Sequence, residues 1–358
     1  MMIFDGHADL LYDVTKWRQA GEDRVFERRH LPRLQAGQIG GLGLSIWTTV
    51  EQDSIWSAHP DWDGWRRTEE MMARAREELA ECPWLALVRT AAEVRKAQAE
   101  GKLFAFLSVE GMEPVGDRLE RLEQYAQWGV RMGMLTWNEE NLLACGAGGN
   151  PDRGLTELGR EAVRRMQRLN ILPDVSHTSD RSFWDIMDLA EGPVIASHSN
   201  CRALCDVRRN LTDEQLRAIR DTGGVVGVNV SHDFVHKEPR QQTAAMLARH
   251  AAHMAEVMGP EHVACGFDFC EYFGPGYEGC EGMEDCGQAQ NFIFELERIG
   301  FSEAERQAHR KIFCGCWNKK ESFYAEKLAG DRRFFRFLRT AAKMMERPTE
   351  KGLNYSYI

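Results

Sequence analysis

Eight short apolar runs punctuate the chain, and most of them stop on a residue that can bind a metal or move a proton. The first reads Met2-Ile3-Phe4-Asp5-Gly6-His7-Ala8-Asp9 and ends on His7 and Asp9. Leu103-Phe104-Ala105-Phe106-Leu107-Ser108-Val109-Glu110 ends on a lone glutamate. Ile171-Leu172-Pro173-Asp174-Val175-Ser176-His177 and Pro193-Val194-Ile195-Ala196-Ser197-His198 end on histidines, and His262-Val263-Ala264-Cys265-Gly266-Phe267-Asp268 on an aspartate. Further runs cover 41–47, 130–137 and 224–230. Short apolar runs bounded by Gly or polar residues read as fully buried strands.

Between the runs lie segments rich in Ala, Glu, Arg and Leu, which predict helices over 66–81, 119–128, 158–169, 213–221 and 243–258. Thr212 with Gln215, and Ser302 with Glu305, have the capping-box spacing, in which a hydroxyl and a side chain three residues on satisfy free helix N–H groups. Strand-then-helix alternation repeated eight times predicts an α/β chain with a parallel, closed sheet, a (β/α)8 TIM barrel. An open doubly wound sheet explains the alternation equally well. It does not explain why early and late strands both end on metal-binding residues, whereas a barrel gathers its C-terminal strand ends on one face. The expectation is a single domain over 1–358, with the barrel over about 1–325 and a helical C-terminal extension over about 326–358.

Composition narrows the function. The net charge of −10 excludes the clustered basic footprint of a nucleic-acid binder. No apolar stretch approaches the roughly 20 residues needed to span a bilayer. The first apolar run begins at the N-terminus, so the chain is read as leaderless and cytoplasmic. Its ten cysteines form no paired C-x-x-C zinc site, and Cys314 and Cys316 are one residue apart. Reduced, largely buried thiols are expected, with Cys280 and Cys286 the pair best spaced to cross-link.

Each candidate ligand has a plainer reading beside the functional one. His7 and Asp9 fit a strand-end histidine and a helix-capping aspartate. On a strand, however, residues two apart share a face, which suits two ligands to one ion. Glu110 ends a very apolar run, where a buried carboxylate costs several kcal/mol (about 2–7 even for a neutral polar group) unless paired or coordinated. His177 and His198 each follow a serine and fit simply hydrogen-bonded strand ends. Five such groups at four strand ends make coincidence a poor account. Histidine and carboxylate donors without cysteine suit zinc, and also manganese, cobalt or iron(II).

These stretches resemble the membrane (renal) dipeptidase family, a branch of the metal-dependent amidohydrolase superfamily. The matching pieces are Asp5-Gly6-His7-Ala8-Asp9, Ser108-Val109-Glu110-Gly111, Asp174-Val175-Ser176-His177, Ser197-His198-Ser199-Asn200 and Arg208-Arg209-Asn210, with Gly266-Phe267-Asp268-Phe269 a looser match. The resemblance implies two zinc ions: one held by His7 and Asp9, the other by His177 and His198, with Glu110 bridging both. It implies that Arg209 grips the substrate's C-terminal carboxylate, with the neighbouring Arg208 an alternative for that role. Asp268 matches the family's strand-eight aspartate. The implied function is a dipeptidase tolerant of D-residues at the C-terminal position, acting as a homodimer through a hydroxide shared by the metals. Asp268 would be general base and then acid.

The chain also departs from the family. Trp137 occupies the slot of a histidine thought to stabilise the oxyanion, and Cys270 replaces a second strand-eight aspartate. An indole N–H donates one hydrogen bond but cannot become cationic. Trp137 and Asn138 are therefore candidate substrate-binding residues, with Asn138 and His232 as substitute donors. Other amide, N-acyl amino acid or lactone hydrolysis on the same site is the second reading. A barrel that binds a carboxylate without turning it over is the third.

Overall fold

The computed structural model describes residues 2–49 and 54–304. The strands are β1 Ile3–Ala8, β2 Ile39–Trp47, β3 Leu85–Leu87, β4 Leu103–Glu110, β5 Val130–Met134, β6 Leu172–Asp174, β7 Val226–Val228 and β8 Val263–Cys265. Every strand pairing is parallel, in the order β6-β5-β4-β2-β1-β8-β7. Parallel pairing demands a crossover between neighbours, and the helices supply it. The strands are almost wholly buried, as expected when helices cover one face and packed side chains the other. The result is an α/β fold with a curled parallel sheet, TIM-barrel-like.

Two differences from the sequence expectation stand out. The run over 193–198 is not a continuous strand. It touches its neighbours through two isolated parallel bridges, Asp174 with Ile195 and Ala196 with Val226, which link β6 to β7 around the ring. Side chains supplement the missing ladder there, as described below. The second difference is β3, which lies in the apolar run Trp84-Leu85-Ala86-Leu87-Val88, outside the eight expected ones. It pairs with the first half of β4 (Leu85 with Leu103), on the edge whose second half takes β5.

The expected helices are present as Gly64–Glu81, Arg121–Trp128, Glu157–Arg168, Asp213–Asp221 and Ala244–Met258. Thr212 and Gln215 form the expected capping box, while Asp63 and Thr156 accept the N–H three residues on at their own helix starts. The Ser302/Glu305 pair is only partly within the described residues, and Cys314, Cys316 and the extension over about 326–358 lie outside them. The eight described cysteines, Cys280 and Cys286 among them, are free thiols. No helix among the described residues is long and apolar enough to cross a membrane.

Glycine sets one close approach inside the ring. A Cβ at Gly266, just past β8, would collide with the carbonyl oxygen of Ser197. Its absence lets the irregular 193–198 segment lean towards β8 and brings His198 towards the strand that carries Asp268.

Candidate metal centre

Glu110, the last residue of β4, is the hub. Its Oε1 lies 2.8 Å from His177 Nε2 and 3.6 Å from His198 Nε2, while its Oε2 lies 3.3 Å from His7 Nε2. One carboxylate thus faces two histidine groups with its two oxygens. His7 Nε2 also sits 3.4 Å from Asp9 Oδ2 and 3.8 Å from Asp268 Oδ1. Ligand atoms of His7, Glu110 and His198 lie within 4.8 Å of one another, as do those of His7, Asp9 and Asp268. The strand-end residues of β1, β4 and β8 and of the segments after β6 and at 198 therefore meet in one place.

Asp9 precedes the helix Leu10–Gln19, yet its side chain makes no cap hydrogen bond. Its Oδ1 is buried without a partner, as is His7 Nδ1. The capping alternative for Asp9 therefore fails. Two of the residues meeting here, His177 (φ +69) and Asp268 (φ +60), adopt the left-handed backbone region that L-residues avoid. Strain of this kind persists where surrounding structure enforces it, commonly at functional sites. Gly111, directly after Glu110, takes φ +80, where a Cβ would stand 3.2 Å from the Trp137 backbone nitrogen.

A network not foreseen from the sequence holds the histidines. Asp174 Oδ1 accepts the backbone N–H of Ser176 and of Ser197, each at 3.0 Å. Ser176 Oγ accepts the His198 N–H at 3.1 Å, and Ser197 Oγ lies 2.8 Å from His198 Nδ1. These bonds supplement the sparse ladder at 193–198 and fix His177 and His198 with their Nε2 atoms 2.9 Å apart. Asp5 Oδ1 does the same across β1 and β8, accepting the Phe267 N–H at 2.8 Å. The signal was available: both aspartates stand two or three residues before a candidate ligand. Asn229, after β7, donates Nδ2–H to Asp268 Oδ2 at 3.0 Å.

The donor chemistry fits divalent cations. Asn138 Oδ1 stands 2.9 Å from His177 Nδ1 and can only accept, so Nδ1 carries the proton. Burial drives the pKa values of His177 and His198 well below the ordinary histidine value, so both are neutral. His177 Nε2 is then a bare lone pair facing a carboxylate oxygen and a second imidazole. Lone pairs pointed at one another within 3 Å are repulsive unless a cation or proton lies between them.

The other charges follow from the same enclosure. Burial, helped by Asp9, pushes Glu110 up to about 8 against the pull of His7. Burial likewise raises Asp268 to about 6. Burial disfavours the His7 imidazolium, but Asp9 and Glu110 outweigh it and hold His7 well above the ordinary value. Burial thus makes negative charge costly in this pocket, and a bound cation would lower that cost.

Arg209 is buried at 8% exposure and Arg208 is exposed. Arg209 Nη2 reaches the His198 carbonyl at 3.4 Å, while Nε and Nη1 are buried with no partner. Burial lowers its pKa to about 10, so it remains charged at neutral pH. A buried guanidinium with two free donors is built for an incoming planar anion. Arg208 instead donates to the Gly149 carbonyl at 3.3 Å. Trp137 is half-buried, its ring 6.0 Å from that of His177. Cys270 Sγ lies 3.5 Å from Asp268 Oδ1. His232 is partly exposed and pairs with Asp233 at 3.6 Å.

The family model for Membrane dipeptidase (Peptidase family M19) matches residues 1–310. A Klebsiella pneumoniae protein, "Uncharacterized protein in pqqA 5'region", is 37% identical over 194 residues, 52% of this chain and 72% of that protein. A Schizosaccharomyces pombe protein, "Uncharacterized dipeptidase C965.12", is 38% identical over 203 residues, 55% of this chain and 47% of its own length. Among solved structures, a metallo peptidase from Rhodobacter sphaeroides, liganded with a phosphinate mimic of the dipeptide L-Ala-D-Ala, has a TM-score of 0.76 at 26% identity, covering 86% of this chain and 96% of that one. Dipeptidase AC, a metallo peptidase of family M19, has a TM-score of 0.74 at 27% identity, covering 86% and 95%. By its sequence over most of its length, and by a fold shared with such enzymes, the chain belongs to the membrane dipeptidase family, peptidase family M19, and is a metallo-dipeptidase.

Proposed function

We propose that the chain hydrolyses dipeptides at a centre for two zinc ions, one held by His7 and Asp9, the other by His177 and His198, with Glu110 bridging. The observation that carries this reading is the division of Glu110, one oxygen towards His177 and His198 and the other towards His7. Bound divalent cations would supply Lewis acidity and a hydroxide nucleophile at neutral pH.

The protein's own groups do the rest. Arg209 binds the substrate's C-terminal carboxylate with its free Nε–H and Nη1–H, which sets the scissile amide at a fixed distance and selects short peptides. Asp268 takes a proton from the nucleophile and delivers it to the leaving amine. Asn229 holds the other Asp268 oxygen and so orients the one that faces His7. Asn138 fixes the tautomer of His177, and the Trp137 indole shields that histidine's face. Tolerance of a D-residue at the C-terminal position is supported by the similar Rhodobacter sphaeroides enzyme, which binds a mimic of L-Ala-D-Ala.

The test is a panel of L,L-, L,D- and D,D-dipeptides with N-acyl amino acids, assayed on protein of measured metal content. Dipeptide turnover that rises with bound zinc up to two per chain is the expected result. Turnover confined to N-acyl amino acids, or complete at one metal per chain, would overturn the proposal.

A further inference from the structure

An aromatic wall rises on one side of the site. Trp47 ends β2 and is the register partner of Glu110 on β4. Trp137 comes from the segment after β5, on the other side of β4, and closes on that strand because Gly111 presents no Cβ to its backbone. The two indole rings lie 5.7 Å apart. Phe273, from the segment after β8, brings its ring within 6.0 Å of Trp47 and 5.0 Å of Tyr12. Trp137 continues the wall to His177, at 6.0 Å. Three loops separated widely in sequence thus place flat apolar faces together beside Glu110. Trp137 and Phe273 are half-buried, and Trp47 Nε1 is buried without a partner.

Arg209 Nη2 donates to the His198 carbonyl, on the segment that the ring order sets opposite β2 and Trp47. Around the ring the order is β1, β2, β4, β5, β6, the 195–196 bridge, β7 and β8. Arg209 follows the 195–196 position, which stands opposite β2. With the carboxylate of a dipeptide on Arg209 and its amide over the ligand cluster, the N-terminal residue extends away from Arg209, about one residue length of 3.3–3.6 Å further on. It therefore approaches Trp47, Trp137 and Phe273. Flat rings of this kind bury apolar and aromatic side chains and offer little to charged ones.

We infer that Trp47, Trp137 and Phe273 bind the side chain of the substrate's N-terminal residue, and that the chain prefers dipeptides in which that residue is aromatic or large and apolar. The inference rests on the dipeptidase reading and on Arg209 as the carboxylate clamp.

The test compares kcat/KM for Phe-Ala, Leu-Ala, Asp-Ala and Gly-Ala on the zinc-loaded enzyme. Phe-Ala and Leu-Ala should exceed Gly-Ala by about tenfold or more, the scale of burying a large apolar side chain, with Asp-Ala slowest. Phe273→Ala should reduce the Phe-Ala to Gly-Ala ratio several-fold. Trp137→Leu gives a second reading of that ratio should the first variant fold poorly. Hydrolysis with Gly-Ala equal to or better than Phe-Ala overturns the inference and leaves the dipeptidase proposal standing. So does a Phe-Ala to Gly-Ala ratio unchanged in both variants, which makes the wall packing alone. Failure to hydrolyse any dipeptide overturns both.

Discussion

Removing metal should make the protein less stable as the pH rises from 7 to 8.5. Glu110 is fully buried, and its carboxyl is raised from the usual value near 4.5 to about 8. The folded state then keeps a proton that the unfolded chain has already lost, so stability present at lower pH is lost as pH passes through the folded value. Between pH 7 and 8.5, Glu110 alone accounts for a loss of about 1 kcal/mol, at about 1.4 kcal/mol per proton per pH unit. Asp5, raised by burial to about 7, adds a smaller loss in the same direction. His7, held high by Asp9 and Glu110 against the cost of burial, also acts in that direction. His177 and His198 oppose it, because their depressed values mean that the unfolded chain binds the extra protons. Their unfolded values lie near the ordinary histidine value, so above pH 7 they offset only a small part of the loss. Urea unfolding of chelator-treated protein at pH 7 and 8.5, followed by circular dichroism, measures the difference. Glu110→Gln should flatten most of the slope, and saturating zinc should remove it, since metal binding itself expels those protons. Metal-free stability that is constant or rises from pH 7 to 8.5 would refute the burial argument.

Three substitutions probe the residues separately. Asp268→Asn should leave two metals bound and cut turnover about 100-fold or more, the scale of a lost acid–base group, whereas loss of metal rescued by excess zinc would make Asp268 a ligand. Arg209→Lys should raise KM for dipeptides by about tenfold with a smaller change in kcat, because a point charge lacks the planar fork; unchanged kinetics would remove Arg209 from the clamp. Asp174→Ala leaves the N–H groups of Ser176 and Ser197 without their acceptor, and zinc affinity by competition with a chelating dye should fall about 10–100-fold, as for lost supports behind metal ligands. Wild-type affinity in that variant would show that the histidines need no such support.

The sequence carried the ring's outline because buried parallel strands are continuous apolar runs, and those are visible wherever they reach five or six residues. β3 lies in the apolar run Trp84-Leu85-Ala86-Leu87-Val88 and is no shorter than β6, β7 or β8, so its signal was present in the sequence but passed over. The run at 193–198 looked like a strand because it is apolar, yet Asp174 and Ser176 divert the backbone N–H groups of Ser197 and His198 to side chains. Hydropathy cannot distinguish the two, since both bury the same residues. The candidate ligands were legible because charge is costly in such places, and the structure brings His7, Asp9, Glu110, His177 and His198 together. What one-dimensional reading lacked was contact across the mouth. Trp47 ends its run with no polar signal, and only the register with Glu110 reveals where it stands. The choice between Arg208 and Arg209 was likewise open until burial separated them.

The pairing of β1 with β8, Asp5 opposite Cys265, makes the site the last thing the folding chain can complete. His7 and Asp9 are made long before Asp268, which reaches His7 only after nearly the whole ring has been synthesised and closed. Such closure between distant segments is slow, because loop entropy is lost before the contacts repay it. Until then β1 and β7 are sheet edges, with unpaired N–H and C=O groups open to association with other chains. A chain cut before β8 would keep most of its apolar strands and all five proposed zinc ligands, yet hold an exposed edge and lack Asp268. Turnover in this protein reports more than ligand chemistry: with Asp268 as the proton carrier, it requires that the two ends of the sheet have met.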